Sequence, residues 1–96
     1  MRITEHEKNV IIEAAESVDP NAKVWLFGSR TDDSKKGGDI DIAILSAVIK
    51  NDIMQEIQVK RFICDKIGDQ KIDIVASADG KEAFFRLAVE KGMKIN

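Results

Sequence analysis

The sequence contains no tyrosine and only one each of cysteine, proline, tryptophan and histidine among its 96 residues. A single cysteine, Cys64, excludes an intramolecular disulfide. Together with the lone His6 it cannot supply the three or four nitrogen and sulfur ligands of a zinc site. No apolar run approaches the ~20 residues that cross a bilayer as a helix. Basic excess is also missing: 15 Lys and Arg face 17 Asp and Glu, for a net charge of −2. No basic run is longer than a pair such as Lys35-Lys36. Proteins that grip a phosphate backbone carry an electropositive face, so neither direct nucleic-acid binding nor membrane binding is expected. The opening stretch MRITEHEKNV holds no hydrophobic signal core, and the expected location is the cytoplasm.

Apolar residues make up 44% of the chain and charged ones 33%, the balance of a globular domain rather than a disordered segment. Residues 1–96 read as a single domain without repeats or a linker. Thr4 and Glu7 are spaced as a capping box, and Val10, Ile11, Ala14, Ala15 and Val18 follow at helical spacing. Asp19-Pro20 ends that helix, because the residue before proline is pushed out of the α region. VWLF, residues 24–27, is short and wholly apolar, the mark of a buried strand. Residues 29–38 are polar and end in a glycine pair, as a loop does. Ile40, Ile42 and Ile44 then alternate with Asp39, Asp41 and Ala43 at the period of a strand.

A second helix is predicted over 52–67, with Ile53, Ile57, Phe62, Ile63 and Ile67 assigned to one face and Gly68 as its stop. Lys71 to Ala76 alternates around Asp73 as a third strand. Ser77 is the expected cap of a last helix that runs to Lys91 and closes at Gly92. The order α-β-β-α-β-α predicts an α+β fold, a small mixed sheet with helices packed on one face. The ten-residue loop after the first strand is too short for a crossover helix, so the first two strands should be antiparallel.

Asp39 and Asp41 carry the chemistry. Residues i and i+2 on a strand share a face, with Cα atoms roughly 6.5 Å apart. Carboxylates so placed can share one divalent ion or bridge two, as in-line nucleotidyl displacement requires, and hard oxygen ligands suit Mg²⁺ or Mn²⁺. A wet edge strand would also carry acids. Here, however, the same face continues through Ala43 and Leu45, and aspartate is disfavoured inside strands. Asp73 allows the same two readings, a surface acid or a third carboxylate. Gly28-Ser29 ends the buried strand where backbone N–H groups and a hydroxyl can face phosphate oxygens, and Arg30 can add a charge-assisted contact. His6 reads as a surface residue and Cys64 as a core filler. Phe84 and Phe85 read as core, with a share in an interface.

Taken together, VWLFGSR, nine residues between Ser29 and Asp39, and DIDIAIL resemble the signature of the DNA polymerase β-like nucleotidyltransferases. More narrowly, they resemble the minimal nucleotidyltransferases (MNT) of prokaryotes. KIDIVAS matches where that family places its third carboxylate, and EAFFRLAVEKGMKI resembles its closing helix. The resemblance implies that Asp39 and Asp41 bind two Mg²⁺ ions and that Asp73 completes the second site and serves as base. It implies that Gly28, Ser29 and Arg30 hold the phosphates of ATP. It further implies an antitoxin role: transfer of AMP to a hydroxyl of a HEPN-domain toxin, with a homo-oligomer as another way to complete the site. Asp32 and Asp33 depart from the family pattern and set negative charge near a triphosphate, with Lys35 and Lys36 to offset it. That departure favours an alternative, an antitoxin that acts by contact alone; a further alternative is a transferase of small molecules that needs a separate substrate-binding subunit.

Overall fold

The computed structural model describes residues 3–28 and 39–96. Helix α1, Glu5–Val18, starts at the expected capping box: Thr4 Oγ1 accepts from the Glu7 N–H at 3.0 Å, and the Thr4 N–H donates to Glu7 Oε1 at 2.9 Å. Strand β1, Lys23–Phe27, pairs antiparallel with β2, Asp39–Leu45, as the short loop requires. Two helices follow, α2 at Ala47–Asn51 and α3 at Ile53–Ile67, and lead to β3, Lys71–Ser77, which runs parallel to β2. Helix α4, Ala83–Lys91, and the two-residue strand β4, Met93–Lys94, complete the chain. The sheet order is β3-β2-β1-β4. No helix among the described residues is long and apolar enough to cross a membrane.

Strand alternation divides the sheet into two faces. Val24, Leu26, Ile40, Ile42, Ile44 and Ile72 all point to the first, where α1 covers them with Val10, Ile11, Ala14 and Ala15, and α3 with Val59 and Ile63. The expected packing of helices on one face holds for α1 through α3, with Ile49 of α2 buried in the same core. Helix α4 adds a second layer. It lies on the other face, where Phe85 and Ala88 pack with Ala43, Trp25, Phe27, Leu45 and Val75. Trp25 meets Phe85 edge-on, with ring centroids 5.8 Å apart.

Three local assignments change. Ile53 and Ile57 do not share the buried face of α3; they are 63% and 41% exposed, while Val59 and Ile63 are buried. Six residues separate Ile57 from Ile63, about 1.7 turns, which sets them on different sides of the helix. Helix α2 is a further short turn of helix, capped by Ser46, whose Oγ accepts from the Ile49 N–H and donates to Asp19 Oδ2 at 2.6 Å. Ser77 does not cap α4, which begins six residues later. It is fully buried; its Oγ accepts from the Gly80 N–H at 2.7 Å and donates to Glu82 Oε1 at 2.6 Å. The hydroxyl therefore organises the turn between β3 and α4.

Gly92 closes α4 as expected and immediately precedes β4. A Cβ there would sit 2.4 Å from the Leu26 carbonyl oxygen and 2.7 Å from that of Ala88, so only glycine lets α4 end this close to β1. Beyond β4 the chain is latched by Asn96, whose Oδ1 accepts from the Val24 N–H and whose Nδ2 donates to the Ala22 carbonyl, each at 2.8 Å.

Candidate active site

The α4 face of the sheet consists of rows of residues brought level by strand register. Trp25, Ala43 and Val75 form one row across β1, β2 and β3, and α4 covers it. The next row is Phe27, Asp41 and Asp73. Rows two residues apart are separated by roughly 6.5 Å along the strands. The acids therefore stand just outside the apolar patch beneath α4. One further row out, Asp39 pairs in register with Lys71.

Asp41 and Asp73 sit side by side because β2 and β3 run parallel in this register. Neighbouring strands lie about 4.8 Å apart, within reach for two carboxyl groups. Burial pushes the Asp41 carboxyl above its ordinary value of 3.8, and the charges of Asp73 and then Asp39 push it further; Lys71 pulls the other way. A hydrogen bond to Asp73 adds to the rise. Two carboxylates that compete for one proton hold the negative charge a divalent cation would neutralise. Their oxygens are the hard donors Mg²⁺ prefers. Asp39 is engaged by Lys71, with Nζ 3.8 Å from Oδ2, an exposed ion pair of the kind that contributes less than about 1 kcal/mol. Among the described residues, no three acidic, histidine or cysteine side chains gather around one point as a metal cage does. The strand register thus sets Asp41 and Asp73 side by side, with Asp39 one row further out.

Gly28 ends β1 beside this pair. Its φ is +75°, and a Cβ on it would lie 2.3 Å from Asp41 Oδ2. Glycine here both adopts the left-handed conformation and leaves room for the carboxylate. Of the six residues singled out in the sequence, Gly28, Asp41 and Asp73 are brought together and Asp39 flanks them. Ser29 and Arg30 lie outside the described residues, as do Asp32, Asp33, Lys35 and Lys36. Lys71 is the charged neighbour that sequence reasoning passed over. Its signal was present, since it precedes Asp73 by two residues on the same strand and so shares its face. Phe84 and Phe85, read as a pair, part company: Phe85 is buried and Phe84 is 63% exposed.

A search of curated protein sequences finds no significant match to the chain. The family model described as "Polymerase beta, Nucleotidyltransferase" matches residues 9–95, which takes in all four strands and every helix but the first turn of α1, together with Gly28, Asp39, Asp41 and Asp73. With its mixed sheet and its carboxylates aligned on one face, the chain belongs to the polymerase β nucleotidyltransferase family and is a nucleotidyltransferase domain.

Proposed function

We propose that the protein is a minimal nucleotidyltransferase that moves AMP from ATP to a hydroxyl group on a partner protein, as the antitoxin of a HEPN/MNT pair in the cytoplasm. The observation that carries this reading is the level pair Asp41 and Asp73 beside Gly28, on the part of the sheet face next to α4. Nucleotidyl transfer is an in-line displacement at the α-phosphorus. A bond forms from the acceptor oxygen to phosphorus, the bond from phosphorus to the bridging oxygen breaks, and pyrophosphate leaves with the bond's electron pair. The acceptor's proton needs a base, and Asp73, the more exposed of the pair, takes it. Asp39 and Asp41 would hold two Mg²⁺ ions, or Mn²⁺ in their place, with Asp73 on the second. Bound there, the metal supplies charge neutralisation of the phosphates and polarisation of the bond that breaks. Gly28, with Ser29 and Arg30 after it, binds the phosphates.

In this reading the acceptor hydroxyl comes from a partner protein. Exposed apolar side chains on α3, Ile53 and Met54 at 63% each and Ile57 at 41%, fit contact with another protein and favour a second reading, neutralisation of the toxin by contact alone. The two separate in one experiment. The full chain is incubated with the protein encoded beside it, Mg²⁺ and ATP labelled at the α-phosphate. Label is expected on the partner, and none with Asp39→Asn/Asp41→Asn. A partner that is never labelled, yet is neutralised equally well by that double variant, rules out the catalytic reading in favour of contact.

A further inference from the structure

A cleft of about 240 Å³ opens between the end of β1 and α4, lined by Phe27, Gly28, Phe84, Leu87, Ala88 and Lys91. Lys91 is the one polar side chain of these six. Phe84 and Leu87 are 63% and 49% exposed, although their helix is well seated, with Phe85 and Ala88 buried on the sheet. The exposure therefore belongs to the cleft and not to a loosely packed helix. Gly28 is shared: it lines this cleft and also abuts the Asp41 carboxylate. A molecule seated in the cleft is thus next to the carboxylate row. The volume is below the ~300–1,000 Å³ of clefts that enclose a whole ligand, so it suits one ring system, with the rest of the molecule outside.

We infer that this cleft is the nucleobase subsite, in which the planar ring of a purine nucleoside triphosphate packs between Phe27 and the Phe84–Leu87 rim of α4 while its phosphates lie toward Gly28 and Asp41. The inference rests on the nucleotidyltransferase reading and adds the basis of base selection to it. An aromatic and aliphatic cleft holds a base through its face, and every base has one. Among the described lining residues Lys91 is the one side-chain donor, so their side chains do not read the edge that distinguishes adenine from guanine. The lysine's charge favours the phosphates that all nucleotides share. Bicyclic bases are preferred over pyrimidines because they cover more of the cleft.

The test is equilibrium binding of ATP, GTP, CTP and inorganic triphosphate to the full chain in Mg²⁺, for the parent and for Phe84→Ala and Leu87→Ala. Both side chains are exposed enough that truncation leaves the fold intact. ATP and GTP are expected to bind within about tenfold of each other, since apolar contacts give little discrimination between near-isosteres. Phe84→Ala is expected to weaken both by about five- to hundredfold, the loss of one base-stacking partner, and to leave triphosphate binding unchanged. Unchanged ATP affinity in both variants overturns the inference and leaves the transferase reading standing. An equal fall for triphosphate and ATP also overturns it. If instead Phe84→Ala converts a self-associated chain to monomers with nucleotide affinity intact, the cleft is a protein contact. Failure of the parent to bind either ATP or triphosphate removes the underlying reading as well.

Discussion

Asp41→Asn is the substitution whose effect the geometry defines best. Asn keeps the shape of the side chain and offers Asp73 an amide donor, while the negative charge that the Asp41 carboxylate sets between Asp73 and Asp39 is gone. Like charges directly opposite on adjacent strands cost up to about 1 kcal/mol. In chelator at pH 7 the variant should therefore be more stable by about 0.5–1 kcal/mol, a rise in Tm of roughly 2–8 °C for a domain of this size. The sign with pH follows from the raised carboxyl. Its folded-state pKa lies above the ordinary 3.8, so the parent loses stability as pH rises through that window and regains it as pH falls. The advantage of Asn should accordingly shrink on acidification and vanish near and below 3.8. If Mg²⁺ binds at the pair, a concentration a hundredfold above its Kd would stabilise the parent by about 2.7 kcal/mol and reverse the ranking. Thermal denaturation followed by circular dichroism, across pH and with or without Mg²⁺, measures all three. A variant less stable than the parent at pH 7 in chelator, or a gain that does not change with pH, would refute the reasoning.

Gly28→Ala combines a left-handed φ, costing an L-residue about 1–2 kcal/mol, with a methyl group that displaces the Asp41 carboxylate; transfer activity should be lost together with a lower Tm, and full activity would show that Gly28 does not shape the site. Gly92→Ala presses a methyl group onto the carbonyl oxygens of Leu26 and Ala88, backbone atoms that cannot rotate away. It should cost about 1–3 kcal/mol in urea titration, and an unchanged midpoint would mean that α4 can shift on the sheet without loss.

The legible parts of this fold were those set by local pattern. DIDIAIL reads as a strand because its isoleucines and acids alternate, and the alternation also places the acids on the face opposite the main core. The capping box of Thr4 and Glu7 and the antiparallel pairing implied by a short loop are equally local. What could not be read depends on partners distant in sequence. The level placement of Asp41 and Asp73 is set by how α2 and α3 return the chain to β3, and no spacing in the sequence states it. Strand β4 has two residues and exists only because β1 offers an edge and Gly92 permits the approach. The exposed Ile53 and Ile57 look like core in composition; only their angular offset from Val59 and Ile63 separates them. Ser77 resembled a helix cap because serine before a helix commonly is one, whereas here the turn it ties is completed by Glu82.

The chain's single tryptophan stands on the seam between the covered and open parts of the α4 face. Trp25 touches Phe85 on one side, has the Lys94 ammonium 5.9 Å from its ring centre, and is two residues from Phe27. The molecule thus carries one intrinsic fluorophore at the place where α4, the C-terminal strand and the candidate site meet. Its emission reports on that junction without interference from a second indole or any tyrosine. Undocking of α4 and entry of a ligand beside Phe27 can therefore both be followed optically in the unlabelled protein.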